Sequence, residues 1–258
     1  ASNPQESSYR GLMKDWLIHR YPSSSFRFID ASIREGGAAL GLYRLNRDVL
    51  SYEPDLVFLE FTADAGDLYT AKCHESLLRQ ILQRNVLIVQ VNMSFRHYFK
   101  DSEGGYVHNK SQKFLKREAI LKSLARNYGF VFVDTAPYVE RLLAKGAVAL
   151  SDIWPYDDFY PCDVGYKIFF EAVREAYLKG VRGEVDFVPY LEVKEGRYSV
   201  ISDIKPRYGV FKRWQRIEVE ALYLPFGWRL EKPSVVGESF DLMPSRWLEK
   251  NMVCKDGS

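Results

Sequence analysis

The 258-residue sequence is poor in cysteine and histidine, carries almost no net charge and has no long apolar run. Its three cysteines, Cys73, Cys162 and Cys254, are too few and too widely spaced for a disulfide framework or a structural zinc site. A formal net charge of +2 gives no reason to expect a nucleic-acid partner. No stretch approaches the roughly 20 apolar residues that a membrane-spanning helix needs, so the sequence predicts a soluble chain without a transmembrane segment.

Signals for targeting and for phosphate binding are also missing from the sequence. Residues 1–6 (Ala-Ser-Asn-Pro-Gln-Glu) have the features of neither a signal peptide nor a transit peptide. No glycine-rich turn between a strand and a helix has a phosphate-binding pattern, since Gly36 and Gly37 alone are too weak a signal. These absences disfavour a nucleotide-binding module, and no cofactor is expected.

Apolar residues, by contrast, make up 47% of the chain and aromatic residues 15%, which is enough for a packed core. Their spacing predicts a helix that closes at residues 53–54 and helices over residues 9–20, 68–84, 111–127, 137–145 and 165–180. Short apolar or alternating runs predict strands at residues 26–30, 56–61, 86–91 and 130–134. This alternation of strands and helices predicts a doubly wound α/β fold with a parallel sheet and right-handed crossovers.

The residue pattern of the sequence changes after Gly180. Residues 184–258 have alternating, aromatic-rich segments separated by proline and glycine, which predicts a small β-rich C-terminal extension. The predicted organisation is an α/β domain over residues 1–180 followed by this extension.

Basic residues cluster in and just before the helix predicted at residues 111–127. They recur at helical spacing among Phe114, Ile120 and Leu124, which favours a solvated helix face over an anion site. The basic residues are Lys110, Lys113, Lys116, Arg117, Lys122 and Arg126.

Two segments resemble the frame of the SGNH (GDSL-type) hydrolases. Residues 156–166 (Tyr-Asp-Asp-Phe-Tyr-Pro-Cys-Asp-Val-Gly-Tyr) are similar to that family's Asp-x-x-His-Pro turn and the Gly-Tyr that opens its last helix. Residues 44–50 (Arg-Leu-Asn-Arg-Asp-Val-Leu) and 54–61 (Pro-Asp-Leu-Val-Phe-Leu-Glu-Phe) resemble a branch of carbohydrate esterases. The resemblance runs from about residue 1 to 179 and implies a flavodoxin-like three-layer sheet and serine-dependent ester hydrolysis.

The positions that carry catalysis in that family differ in this chain. The resemblance places Tyr160 at the catalytic histidine, and a phenol with a pKa near ~10 is a poor base at neutral pH. It places Asp64 at the asparagine of the oxyanion hole, and an ionised carboxylate cannot donate a hydrogen bond. Asp157 retains the position of the acid that orients the histidine.

The oxyanion glycine of the family aligns with Glu35. Gly36 or Gly37 substitutes for it after a shift of one residue. Loss at several functional positions together points to lost catalysis, although another base, such as His97 or His108, would be needed if the chain were active.

The nucleophilic serine and the central first strand that precedes it in the family have no counterpart near residue 1. Three explanations compete. Residues upstream of Ala1 supply the strand, a protein partner supplies it by strand addition, or the chain is permuted. In the third case Ser239, in the segment 234–240 (Ser-Val-Val-Gly-Glu-Ser-Phe), is the nucleophile, although that segment is better read as one strand and turn of the extension.

An aromatic group lies within the same turn region. Trp154, Tyr156, Phe159 and Tyr160 either stack on a sugar or pack in the core of the last loop, and core packing is favoured. Two function hypotheses follow. The first is a degenerate, non-catalytic binding or structural protein with a glycan or protein partner. The second is an active serine esterase that removes O-acyl groups from carbohydrate, with an acyl-ester ligand.

Overall fold

The computed structural model of the chain describes residues 7–33, 36–62, 66–102, 105–108, 112–184, 204–211, 228–231 and 251–254. The chain divides into two compact units. The first unit comprises Ala1–Asp30 and Gly37–Val210, and the second comprises Ala31–Gly36 and Phe211–Ser258.

Most of the predicted helices and strands are present, together with a short helix and a hairpin that the sequence did not predict. The helices are α1 (Tyr9–Arg20), α2 (Ala38–Asp48), α3 (Leu68–Gln83), α4 (Gln112–Tyr128), α5 (Ala136–Ala144), α6 (Leu150–Ile153) and α7 (Asp163–Val181). The strands are β1 (Leu56–Glu60), β2 (Leu87–Asn92), β3 (Phe99–Ser102), β4 (Gly105–His108), β5 (Val131–Asp134), β6 (Trp228–Glu231) and β7 (Asn251–Cys254). Short 3-10 turns cover Leu50–Tyr52 and Arg96–Tyr98. None of the described helices is long and apolar enough to cross a membrane.

The sheet of the first unit is parallel, with strand order β1-β2-β5 among the described residues. Alternate residues of β2 face opposite sides of this sheet. Val89 and Val91 belong to a buried cluster with residues of α1, α5 and α7. Gln90, between them, accepts a hydrogen bond of 2.7 Å from His74 of α3. Helices therefore cover both faces, which confirms the predicted α/β fold with a parallel sheet.

Local signals explain where several helices begin and end. Ser8 precedes α1 and its Oγ accepts a hydrogen bond of 3.2 Å from the backbone of Gly11. Asp67 caps α3 in the same way, accepting from the backbone N–H of Thr70 at 2.7 Å. Gly129 follows α4 with a φ of 70°, a left-handed conformation that glycine adopts without strain. Each cap satisfies backbone groups that a helix end leaves unpaired.

The strand predicted at residues 26–30 is wrong, since these residues are in no strand of the structure. Phe26, Phe28 and Ile29 are 36%, 40% and 41% exposed, and the side chains of Phe26 and Phe28 stack 5.7 Å apart. An alternating apolar pattern becomes a strand only where a neighbouring strand completes the hydrogen-bond ladder. In the described part of the chain β1 is the edge of the sheet, and no strand lies on its side away from β2. A protein partner that supplies such a strand stays a prediction.

The connection between β2 and α4 has secondary structure of its own. It contains the 3-10 turn Arg96–Tyr98 and the antiparallel hairpin of β3 and β4. In the second unit, β6 and β7 pair in antiparallel orientation. The division of the chain into residues 1–180 and 184–258 stays a prediction.

Candidate functional site at the carboxyl ends of the strands

Side-chain hydroxyls connect the carboxyl ends of the three parallel strands. Thr62, just after β1, accepts a hydrogen bond of 2.9 Å at its Oγ1 from the backbone N–H of Met93, which follows β2. Thr135, just after β5, accepts one of 2.7 Å at its Oγ1 from the backbone N–H of Ser94. Parallel α/β sheets bind their ligands beyond the carboxyl ends of their strands. These linked strand ends hold one another in place and form the floor of the candidate site.

Arg117 of α4 lies over this floor. Its Nη1 donates to the carbonyl oxygen of Thr62, and its Nη2 donates to Asn92 Oδ1 at 3.1 Å and to the Tyr98 hydroxyl at 3.0 Å. The residue is only 3% exposed, so the solvated position that the sequence predicted for it is wrong. Burial raises the pKa of Tyr98 to about 12 despite the opposing effect of Arg117, and Tyr98 is therefore a neutral hydroxyl here.

The sequence contained a signal for the burial of Arg117 that its charge obscured. It lies three residues after Phe114 and four before Leu121, and residues three and four apart share one helix face. Its guanidinium carbon lies 5.0 Å from the centre of the Phe114 ring, and Leu121 is buried. Arg117 thus belongs to the inward face of α4.

The turn between α6 and α7 holds Asp157 and Tyr160, which the sequence resemblance places at the catalytic acid and the catalytic histidine. Asp157 Oδ1 accepts hydrogen bonds of 2.6 Å from the backbone N–H groups of both Phe159 and Tyr160. The Asp157 carboxylate therefore stabilises the turn to which it belongs. Tyr160 is 48% exposed.

Arg96 joins this turn to the segment after β2. Its backbone N–H donates to the carbonyl oxygen of Asp158 at 2.9 Å, and its Nη1 donates to the carbonyl oxygen of Trp154 at 2.9 Å. One backbone and one side-chain hydrogen bond from Arg96 thus hold the turn against the segment after β2.

The aromatic residues of the turn divide into a buried one and three exposed ones. Trp154 is fully buried, with its ring 5.9 Å from that of Phe99 and 6.0 Å from that of Phe169, in the core position that the sequence favoured. Tyr156, Phe159 and Tyr160 are 89%, 54% and 48% exposed, so the core packing that the sequence favoured for the whole group is wrong for these three. The turn therefore presents three aromatic rings to solvent at the carboxyl edge of the sheet.

His97 is the histidine that the structure brings to the turn. Its ring lies 5.5 Å from those of Phe95, Phe114 and Phe159. Partial burial lowers its pKa, and the negative charge of Asp158 opposes this only in part, so the imidazole is neutral at neutral pH. Nothing in the sequence marked its proximity to the turn. His108, the other candidate base, is the last residue of β4.

The remaining candidate site residues are placed as follows. Gly37 is the residue before α2, in an extended conformation, and the backbone N–H of Gly36 donates to the carbonyl oxygen of Ile33 at 3.1 Å. Asp64 and Ser239 lie outside the described residues. No group of three or more histidine, cysteine, aspartate or glutamate side chains in the described ranges could hold a metal ion.

Comparisons with known proteins show which solved structures have a similar architecture. No family model and no curated protein matches the chain. Among solved structures, a two-domain esterase active on acetylated mannans, co-crystallised with mannopentaose, matches 72% of this chain at 24% identity with a TM-score of 0.57. The match covers 47% of that esterase, so this chain spans about half its length.

Two further solved structures are similar over 66% of the chain. An α/β hydrolase from the metagenome of Lake Arreo has 15% identity and a TM-score of 0.54, with 81% of its own length covered. An acetylxylan esterase from Geobacillus stearothermophilus has 17% identity and a TM-score of 0.51, with 80% covered. The chain thus has the α/β fold that these esterases and the α/β hydrolase share.

Proposed function

We propose that this chain is a non-catalytic, glycan-binding protein built on the fold of a carbohydrate esterase. The observation that carries the proposal is the turn between α6 and α7, where Asp157 accepts hydrogen bonds from two backbone N–H groups. The sequence resemblance places Tyr160 of this turn at the catalytic histidine. In a working triad the acid accepts a hydrogen bond from the imidazole and stabilises its charged form. Asp157 instead stabilises the turn, and the Tyr160 phenol is too weak a base to activate a hydroxyl at neutral pH.

The exposed aromatic rings of the turn support glycan binding. Tyr156 and Tyr160 combine an apolar ring face with a polar hydroxyl, and Phe159 adds an apolar face, which suits a sugar ring that has both apolar and hydroxyl surfaces. Asp157 accepts and Arg96 donates hydrogen bonds that hold the backbone of the turn in place. Little conformational entropy is therefore lost when a ligand binds to the turn. The solved structures with this fold include an esterase active on acetylated mannans and an acetylxylan esterase, which makes mannan and xylan fragments the first ligands to test.

Calorimetric titration with mannopentaose tests the binding half of the proposal. We expect millimolar to micromolar binding that falls at least tenfold in Tyr156→Ala and in Phe159→Ala. Tyr52→Ala is the matched control, because Tyr52 is also exposed but precedes β1 at the opposite, amino edge of the sheet. Absence of binding to both mannan and xylan fragments, or equal loss in all three variants, would refute glycan binding by the turn.

An ester-hydrolysis assay tests the non-catalytic half. We expect 4-nitrophenyl acetate and acetylated mannan to be hydrolysed at the rate without protein, and a fluorophosphonate probe to leave the chain unlabelled. Serine-dependent hydrolysis would overturn this half while leaving glycan binding intact.

A second candidate function is an active serine esterase that removes O-acyl groups from carbohydrate, with its nucleophile upstream of residue 1 or at Ser239. One observation favours it. His97 is neutral at neutral pH and its ring lies 5.5 Å from that of Phe159, so a potential base is present beside the turn that has lost its histidine. This function requires fluorophosphonate labelling, and it requires hydrolysis that disappears in His97→Gln.

A further inference from the structure

The side chains of Glu75 and Arg79 in α3 hold one short peptide segment at two places. The Glu75 carboxylate accepts hydrogen bonds of 2.7, 2.6 and 3.0 Å from three consecutive backbone N–H groups, those of residues 207–209. Arg79 Nη1 donates at 2.8 Å to the carbonyl oxygen of Ile204. Glu75 and Arg79 are four residues apart and therefore share one face of the helix. A negative charge thus holds N–H groups of the segment, and a positive charge holds one of its carbonyl groups.

Tyr128 of α4 completes this arrangement. Its hydroxyl donates to Glu75 at 2.6 Å and accepts from Arg79 Nη1 at 3.0 Å. Each oxygen of the Glu75 carboxylate thereby accepts two hydrogen bonds. A fully buried carboxylate needs such a set of donors, because an unpaired one is costly to keep out of water. We call Glu75, Arg79 and Tyr128 the clamp, and residues 204–210 the latch.

The clamp holds the latch through main-chain atoms, so it selects a backbone conformation. Pro206 directly precedes the three donors, and its ring restricts the backbone to conformations that suit a turn. Gly209 has a φ of +97°, which other residues adopt only with strain. None of the latch residues is itself buried. Hydrogen bonds rather than a buried apolar side chain therefore hold the latch, and water can replace such bonds without opening the core.

We propose that the clamp is a recognition site for a short peptide turn, and that the latch occupies it reversibly while the parallel sheet stays folded. The ligand class is a turn with three consecutive N–H groups, the last of them from a glycine with positive φ. The second unit resumes at Phe211, directly after the latch. The closed latch therefore holds the chain where it passes from one unit to the other. The proposal does not rest on glycan binding by the turn between α6 and α7.

Amide hydrogen exchange of the full chain, followed residue by residue by NMR, is the first test. We expect the N–H groups of residues 207–209 to exchange about 100-fold more slowly than in an unstructured peptide. They should still exchange at least about tenfold faster than those of β2, which open only when the sheet unfolds. Exchange at the unstructured rate would show that the latch is not docked. Exchange as slow as that of β2 would show that it does not open separately, and either result would overturn the proposal.

Replacement of Gly209 tests whether the latch opens independently of the core. The nearest atom that a Cβ at Gly209 would meet is Lys72 Cε at 3.8 Å, an ordinary contact, so Gly209→Ala adds backbone strain without a clash. We expect residues 207 and 208 to exchange about tenfold faster in this variant. Gly183→Ala is the matched control, because Gly183 also has a positive φ, of +70°, but lies outside the latch. Equal acceleration in both variants would contradict the proposal, since strain at Gly183 reaches these amides only through unfolding of the unit.

A peptide with the sequence of residues 202–212 tests recognition by the clamp. Added to the Gly209→Ala chain at millimolar concentration, on the order of the effective concentration of a tethered segment, it should shift the NMR signals of α3 around Glu75. The same peptide with Tyr208→Pro is the control, because proline lacks the N–H group that donates to Glu75 at 2.6 Å. Shifts of equal size with both peptides, or with neither, would overturn the proposal.

Discussion

The carboxylate of Glu75 accepts a hydrogen bond of 2.6 Å from the backbone N–H of Tyr208, which lies 133 residues further along the chain. The backbone N–H groups of Arg207 and Gly209 donate to the same carboxylate at 2.7 and 3.0 Å, and the Tyr128 hydroxyl donates at 2.6 Å. Glu75 is fully buried within α3. Residues 204–210 are therefore held in the first unit, although they follow α7 by more than twenty residues.

Replacing Glu75 by glutamine should destabilise the first unit. The amide keeps one acceptor oxygen but turns an NH₂ group towards backbone N–H donors, which leaves buried donors unpaired. We expect the free energy of unfolding to fall by about 2–4 kcal/mol, measured by urea denaturation. Glu184→Gln, which affects only an exposed ion pair with Arg182, should change it by less than about 1 kcal/mol. Similar losses in both variants would show that the buried carboxylate has no special role.

The stability of the chain should fall as the pH falls from about 6.5 towards 4, in part because of His74. Burial lowers the pKa of its imidazole from 6.5 to about 4, while its Nε2 hydrogen bond to Gln90 opposes the shift. In this window the unfolded chain binds a proton that the folded chain does not, so acid favours unfolding. The full effect is on the order of 3 kcal/mol, present above pH 6.5 and lost by pH 4.

Urea unfolding at several pH values measures this effect. Carboxylates also titrate in the window, so the useful quantity is the difference between the wild type and His74→Gln. That difference should shrink by up to ~3 kcal/mol between pH 7 and pH 4. His19→Gln, at an exposed histidine of α1, should show no such trend. A pH-independent difference for His74→Gln would mean that the buried imidazole titrates normally.

The role of Asp157 can be separated from that of a catalytic acid. If its carboxylate only closes the turn, Asp157→Asn keeps the acceptor oxygen for Phe159 and Tyr160 and should bind mannopentaose almost as the wild type does. Asp157→Ala removes both hydrogen bonds, each worth about 1 kcal/mol, and should weaken binding by about tenfold. Calorimetry on the two variants decides the matter. Loss of ester hydrolysis in Asp157→Asn would instead identify a triad acid.

Gly66 should not tolerate a side chain. A Cβ at this position would lie 2.7 Å from the backbone nitrogen of Arg117 and 2.9 Å from the carbonyl oxygen of Lys113. These are backbone atoms that cannot move without displacing α4, so Gly66→Ala should cost about 1–3 kcal/mol in thermal or urea unfolding. At Gly146 a Cβ would meet nothing within 4 Å, although its φ is +63°, and Gly146→Ala should cost only about 1 kcal/mol. A larger loss at Gly146 would contradict the close approach at Gly66.

Elements that depend on local pattern could be predicted from the sequence to within a few residues. The apolar spacing of α3 and α7 and the continuous apolar run of β2 each indicate one secondary structure, because neighbours along the chain determine helical and strand periodicity. The turn with Asp157 and Tyr160 was also predictable, since a motif with the same spacing precedes the last helix of a known fold. The hydrogen-bond partners of Asp157 and Tyr160 could not be predicted from the sequence.

Tertiary structure decided the features that depend on partners distant in sequence. Residues 26–30 have a strand pattern, but no strand beside them among the described residues completes a ladder. Arg117 has a surface residue's charge, but the ends of two strands and a 3-10 turn enclose it. His97 meets the turn of Phe159 only after the sheet has brought two loops to one edge. Periodicity along the chain reports which face of an element is apolar, whereas burial, pairing and charge compensation depend on what the fold places opposite that face.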